Sequence, residues 1–370
     1  MKITIVQGAF LPIPPLQGGA IEKAWFSMAQ EFSNSGHKVH YISKHFADLK
    51  KHEFANGIYH SRVTGYQSPK NILQLKILDL FYSLRAFKKI PPSDVIVTHT
   101  FWMPLLLKIK NKGALYVHVG RFPKGQMKFY KHADRLQAPS RSIAKAIENE
   151  IPELKKKICN LPYPITLPSY NREYKNRSKT ILYCGRIHQE KGIQILIDAI
   201  RLLPKNLLED WNIKIVGASK VSLGGSGLVF KEELAMNSAD LPIQWMDPIY
   251  DTKQLNKIYQ DARIFTYPSL AERGETFGLA PLEAMSNGCI PIVSGLECFD
   301  DFISDRKNGF RFNHREKDAT QSLATTLSLL IRSELKEQIE YHLEAIETSN
   351  RFQVKTMSKR FIQDFQTLVH

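Results

Sequence analysis

Short apolar runs of strand length alternate with stretches of helical periodicity from the first residue, and the alternation restarts once near the middle of the chain. This is the pattern of parallel sheets covered by helices. In the first half, residues 3–6, 39–42, 95–98 and 115–119 read as strands. Residues 20–33 and 72–89 read as helices, the first closed by Gly36 just past its end. In the second half, residues 180–184, 213–216, 264–267 and 290–293 read as strands, with helices at 192–203, 252–260 and 279–287. The polar, proline-bearing stretch 167–178, with Asn171, Arg172, Glu173, Lys175 and Arg177, reads as the linker. The expectation is an α/β protein of two domains, at 1–166 and 167–350, followed by a C-terminal segment at 351–370.

A length of 370 residues agrees, since it exceeds what one core usually supports. With 43% hydrophobic and 24% charged residues, disordered and fibrous classes are excluded. The first apolar run breaks too early for a signal peptide, and no uninterrupted apolar stretch reaches the roughly 20 residues of a membrane span. A cytoplasmic protein, or one peripheral on the inner face of the cytoplasmic membrane, is therefore expected. Cys159, Cys184, Cys289 and Cys298 lack metal or disulfide spacing. The net charge of +15 favours anionic partners.

In doubly wound domains ligands sit beyond the carboxyl ends of the strands, and two such domains face to face make a cleft. The segment from Tyr267 to Ser294 has that placement. A strand ends at Tyr267, a loop carries Glu272 and Glu275, and a helix begins near Gly278. A glycine ahead of a helix N-terminus suits a diphosphate. Glu283 falls one turn into that helix, where a solvated face is the ordinary alternative. The run from Leu182 to Ile193 likewise follows a strand, bends at Gly185 and places Arg186 and Lys191 before a helix. Two cations there would stabilise charge growing on a leaving nucleoside diphosphate.

Gly-Arg-Ile-His-Gln-Glu-Lys-Gly at 185–192, together with Glu275-x7-Glu283, resembles the family 4 retaining glycosyltransferases, which share the two-domain GT-B fold. Gly18-Gly19-Ala-Ile-Glu22, Gly36-His37-Lys38-Val39, Ala138-Pro-Ser140 and Asn308-Gly309 extend the resemblance over most of the chain. Leu161-Pro-Tyr-Pro-Ile165 stands where the family often writes Asn-Gly-Val-Asp, and Ile21 is an extra residue in the first-helix motif. The resemblance implies two facing Rossmann-like domains with parallel sheets and a C-terminal helix returning to the first.

It also implies roles. Arg186 and Lys191 would hold the diphosphate, with Gly185 beside them. Glu283 would hold the ribose, and Glu275 the transferred sugar near the backbone of Phe277, Gly278 and Leu279. Gly18 and Gly19 would close over the phosphates, and His118 would stand at the donor and acceptor junction. The implied reaction moves a hexose, from a UDP-sugar by preference, to an acceptor hydroxyl with retention, without a cofactor. No Asp-x-Asp occurs, so no metal is expected. Expected partners are the nucleotide-sugar donor, a glycan or lipid-linked acceptor and an anionic membrane surface. A sugar-nucleotide epimerase of the same fold is the first rival. A glycosidase would need two carboxylates across the scissile bond, and nucleic-acid binding lacks a motif.

Overall fold

The computed structural model of the chain describes residues 1–69, 71–110, 112–169 and 172–369. Asn171 of the expected linker lies outside the described residues. The chain divides into two compact units, one of Met1–Pro164 with the stretch from Phe352 onward, the other of Ile165–Arg351.

The first unit runs β1 (Lys2–Val6), α1 (Ala20–Asn34), β2 (Lys38–Lys44), β3 (His52–Ala55), β4 (Ile58–Val63), α2 (Ile72–Phe87), β5 (Val95–Thr98), α3 (Met103–Ile109), β6 (Ala114–His118), β7 (Arg135–Ala138), α4 (Arg141–Glu150) and β8 (Ile158–Asn160). Its eight strands lie in the order β3-β4-β2-β1-β5-β6-β7-β8, all parallel apart from the β3–β4 hairpin. The central strands are apolar on both faces because helices cover both, so β1 and β5 are buried almost throughout. Asn71 caps α2, its side chain accepting from the Leu73 N–H at 2.8 Å, and Ser140 caps α4 through the Ile143 N–H.

The second unit runs β9 (Ser178–Cys184), α5 (Ile193–Leu202), α6 (Lys205–Leu208), β10 (Asn212–Val216), α7 (Leu228–Asn237), β11 (Ile243–Met246), α8 (Thr252–Asp261), β12 (Ala262–Tyr267), α9 (Leu279–Ser286), β13 (Ile290–Ser294), β14 (Phe310–Phe312), α10 (Ala319–Arg332) and α11 (Leu335–Asn350). Its six strands are parallel, ordered β11-β10-β9-β12-β13-β14, so the chain reverses direction across the sheet between β9 and β12. The stretch read as a linker is partly core of this unit. Tyr174 and Arg177 are buried, and the Arg177 guanidinium donates to the carbonyls of Arg172, Tyr259, Ala262 and Asn287. A buried arginine is tolerable there because fixed carbonyl dipoles replace its water.

The last helix, α12 (Val354–Gln366), packs on α1 of the first unit, with Phe361 edge-on to Trp25 at 5.2 Å and Phe365 against Phe32 and Tyr116. Both units are Rossmann-like α/β sandwiches, the architecture expected from the double alternation in the sequence.

Candidate active site

The site in the second unit is built where β9 and β12, neighbours at the sheet centre, run out at their carboxyl ends. After β9 come Gly185 and Arg186, then a single 3-10 turn over Gln189–Lys191, then α5. Gly192 joins turn to helix in a left-handed conformation at φ 66°, and a Cβ there would come within 2.0 Å of the Pro268 carbonyl oxygen. Only glycine permits this approach. The loop after β12 is thereby laid directly on the loop after β9, and the Leu270 N–H donates to the Glu190 carbonyl at 2.8 Å.

That contact brings Lys191 and Glu275 together from opposite loops. The Lys191 ammonium donates to Glu275 Oε2 at 2.6 Å, and their side chains are only 5% and 13% exposed. The same oxygen accepts from the Tyr267 hydroxyl at 3.2 Å and from Ser269 Oγ at 3.4 Å. Lys191 also stands over the Tyr267 ring, 5.5 Å from its centre, and Tyr183 stacks beneath Tyr267. Burial, and then the Glu275 carboxylate, push the Tyr267 hydroxyl well above its usual range, so it remains a donor. Arg186 bonds Glu190 at 2.9 Å and the Gly224 carbonyl at 2.7 Å, and its charge is felt at Tyr267.

Gly278 stands at the N-cap of α9 at φ 92° and, as glycine, supplies no side-chain cap. A Cβ on Gly278 would strike the Phe299 ring at 2.4 Å. Phe277 is buried, Leu279 opens the helix, and Glu283 lies in its second turn, partly buried, with its charge felt at the Tyr259 hydroxyl. Glu272 points elsewhere. It takes a two-pronged contact from Arg315, at 2.7 and 2.8 Å, and a bond from His314 at 2.8 Å, which tie its loop to the segment after β14.

The remaining candidates belong to the first unit. Gly18 and Gly19 both have positive φ, and Gly19 opens α1 over the Glu22 carboxylate. Burial raises the Glu22 pKa, and Gln7 donates to it at 3.1 Å. His118 ends β6 as a buried ring. Gln137 fixes its tautomer. Because the Gln137 amide nitrogen donates to the Leu161 carbonyl at 2.6 Å, its oxygen faces His118 and receives Nδ1–H, which leaves Nε2 to accept from the Tyr163 hydroxyl at 2.8 Å. Burial holds this imidazole down to about 4, so it is neutral at physiological pH and a poor base.

The fold thus gathers Arg186, Lys191 and Glu275 around Tyr267. Sequence reasoning missed Tyr267, Ser269 and Glu190 as parts of this cluster. Tyr267 had been read only as the last residue of a strand, and its position there was the available signal.

Residues 171–345 match the family model described as Glycosyl transferases group 1. That match covers a little under half of the chain. The chain is similar to a GDP-mannose:cellobiosyl-diphosphopolyprenol alpha-mannosyltransferase of Xanthomonas oryzae pv. oryzae, 30% identical over 161 residues, 41% of this chain and 38% of that protein. An uncharacterized glycosyltransferase of Methanocaldococcus jannaschii is 24% identical over 74% of this chain and 71% of its own. The matched region spans less than half the length of the Xanthomonas relative. Among solved structures, sucrose-phosphate synthase from Thermosynechococcus elongatus matches with TM-score 0.81 at 15% identity, over 100% of this chain and 99% of that one. The Anabaena protein HepE, solved with UDP-glucose, matches with TM-score 0.73 at 18% identity over 100% of both chains. These likenesses give the fold as GT-B.

Proposed function

We propose that the chain is a retaining hexosyltransferase of the family 4 type that uses a nucleoside diphosphate sugar without a metal ion. The observation that carries this reading is the Lys191–Glu275 pair at the carboxyl end of the central strands, beside the glycine-opened start of α9. Lys191, Arg186 and the α9 N–H groups suit a diphosphate, and Glu275 suits sugar hydroxyls. Glu283 is assigned the ribose hydroxyls, and Gly185, Phe277, Gly278 and Leu279 the backbone cradle.

In the reaction the bond between the anomeric carbon and the phosphate oxygen breaks, and the acceptor oxygen bonds to that carbon from the same face. The acceptor proton passes to the leaving phosphate oxygen. Lys191 and Arg186 stabilise the charge left on the diphosphate. His118 is neutral, and both its ring nitrogens are engaged, by Gln137 and Tyr163, so it is not the base. A uridine diphosphate sugar is the preferred donor, and HepE, whose structure holds UDP-glucose, supports it. The mannosyltransferase relative makes GDP-mannose the first alternative to assay. The acceptor is a glycan or a lipid-linked glycan.

The test is a screen of UDP-glucose, UDP-galactose and GDP-mannose for stabilisation of the protein and for transfer, with the product anomer read by NMR. One donor should bind and yield product of the donor's own anomeric configuration, undiminished by excess EDTA. Inverted product would defeat the retaining assignment, and a complete loss restored by added metal would defeat the metal-free one.

A further inference from the structure

Helix α2 is mounted inside out. Its buried residues are Asp79, Tyr82, Ser83 and Ala86, whereas Ile72, Leu73, Ile77, Phe81 and Leu84 are between 41% and 66% exposed. At about 100° per residue, Leu73, Ile77, Phe81 and Leu84 fall within an arc of about 80°, opposite the buried set. Two contacts fix the helix in this rotation. Asp79 accepts from the backbone N–H groups of Phe101 and Trp102, at 3.0 and 3.4 Å, and the Trp102 indole donates to the Lys76 carbonyl at 2.8 Å. The apolar arc therefore faces outward by construction. Helix α3 packs alongside α2 and ends in Ile109, 83% exposed, between the exposed Lys108 and Lys110.

The charge around this face has one sign. From 71 to 132 the sequence holds eleven lysines and arginines against two acidic residues, Asp79, which is buried, and Asp94. Not every cation is available. The Lys112 ammonium donates to the carbonyls of Phe87 and Ile90, Lys131 pairs with Glu153, and Arg85 bonds the Tyr66 hydroxyl. Lys76, Lys88, Lys89, Lys108 and Lys110 are exposed around the apolar arc.

We propose that the outward face of α2, with the end of α3, docks on an anionic lipid bilayer. Aliphatic and aromatic side chains ringed by lysines match an interface with hydrocarbon below and anionic headgroups around it. No helix among the described residues is long and apolar enough to cross a membrane, so α2 lies in the plane of the surface. A second copy of the chain is a poor occupant, because it would bring the same lysines against these.

The test is flotation of the full-length protein with phosphatidylcholine vesicles, with and without phosphatidylglycerol, at low and high salt. The protein should bind the anionic vesicles at least about tenfold more tightly than the neutral ones, and more weakly as salt rises. The double variant Ile77→Ser, Phe81→Ser should lose binding with its thermal midpoint unchanged or raised. The pair Lys108→Glu, Lys110→Glu should lose the preference for anionic lipid. No binding to anionic vesicles at low salt, or wild-type binding by both variants, overturns the proposal. So does a dimer in sedimentation velocity that the apolar variant dissolves. No donor is present in the measurement, so its outcome is independent of the transfer assay.

Discussion

Three side chains, Lys191, Tyr267 and Ser269, converge on Oε2 of Glu275. In the proposed reaction the two cations nearby, Lys191 and Arg186, act where negative charge develops. Lys191→Ala and Arg186→Ala are therefore expected to lower kcat by roughly 10² to 10³ without unfolding the protein, as loss of one such group does elsewhere. Lys191→Ala also leaves a largely buried carboxylate without its ion partner. Its loss should be the larger, and a thermal melt beside the rate assay separates stability from catalysis. Glu283→Ala should weaken binding of the free nucleoside diphosphate in calorimetry, whereas Glu275→Ala should lower the transfer rate with nucleotide affinity little changed. Equal affinity in wild type and Glu283→Ala would remove the ribose role.

At the scale of elements, the site depends on two loops from different strands touching at Gly192. A side chain there would be strained by its positive φ and would push the Pro268 carbonyl away. Gly192→Ala is expected to cost roughly 1–3 kcal/mol in urea unfolding and to reduce nucleotide affinity as well, because the Lys191–Glu275 contact opens. A variant as stable and as tight-binding as wild type would mean that the loops are held by other contacts. The two-pronged Arg315 hold on Glu272 works on the same loop from the far side, and its role is to anchor rather than to bind.

For the whole molecule, buried histidines make stability depend on acidity. Burial lowers His40, His60, His118 and His342 to about 4 each, from an ordinary value of 6.5, so the folded protein keeps them neutral. The unfolded chain takes up those protons from about pH 6.5 downward, and the stability present above 6.5 is lost as pH falls toward 4. Asp79 opposes this, since burial raises it to about 6 and the folded state protonates it first. Glu22, also raised by burial, acts in the same sense as Asp79. Four histidines outweigh two carboxylates, so urea midpoints should fall steadily from pH 7 to pH 5. In the native protein His342 Nδ1–H donates to the Gly288 carbonyl, and the fall should be shallower once this imidazole is removed in His342→Gln.

The sequence by itself determined the double alternation of strand and helix, the approximate bounds of every strand and helix it predicted, the loops that carry Arg186, Lys191 and Glu275, and the helix that carries Glu283. Those signals are local, because period, glycine and helix-start chemistry act within a few residues. It did not reveal β3, β4, β7, β8, β11 and β14, which are short or carry polar residues and depend on a neighbour in the sheet to satisfy their backbone. Nor did it reveal that Arg177 belongs to a core, since only carbonyls distant in sequence make its burial tolerable. Tertiary structure alone decided that Tyr267 and Ser269 share an oxygen of Glu275 with Lys191, and that His118 is held neutral between Gln137 and Tyr163. It also decided which way α2 faces. Periodicity places its apolar residues on one stripe, but the bonds of Asp79 and Trp102 to the neighbouring helix turn that stripe outward, and those bonds form only when the packing is complete.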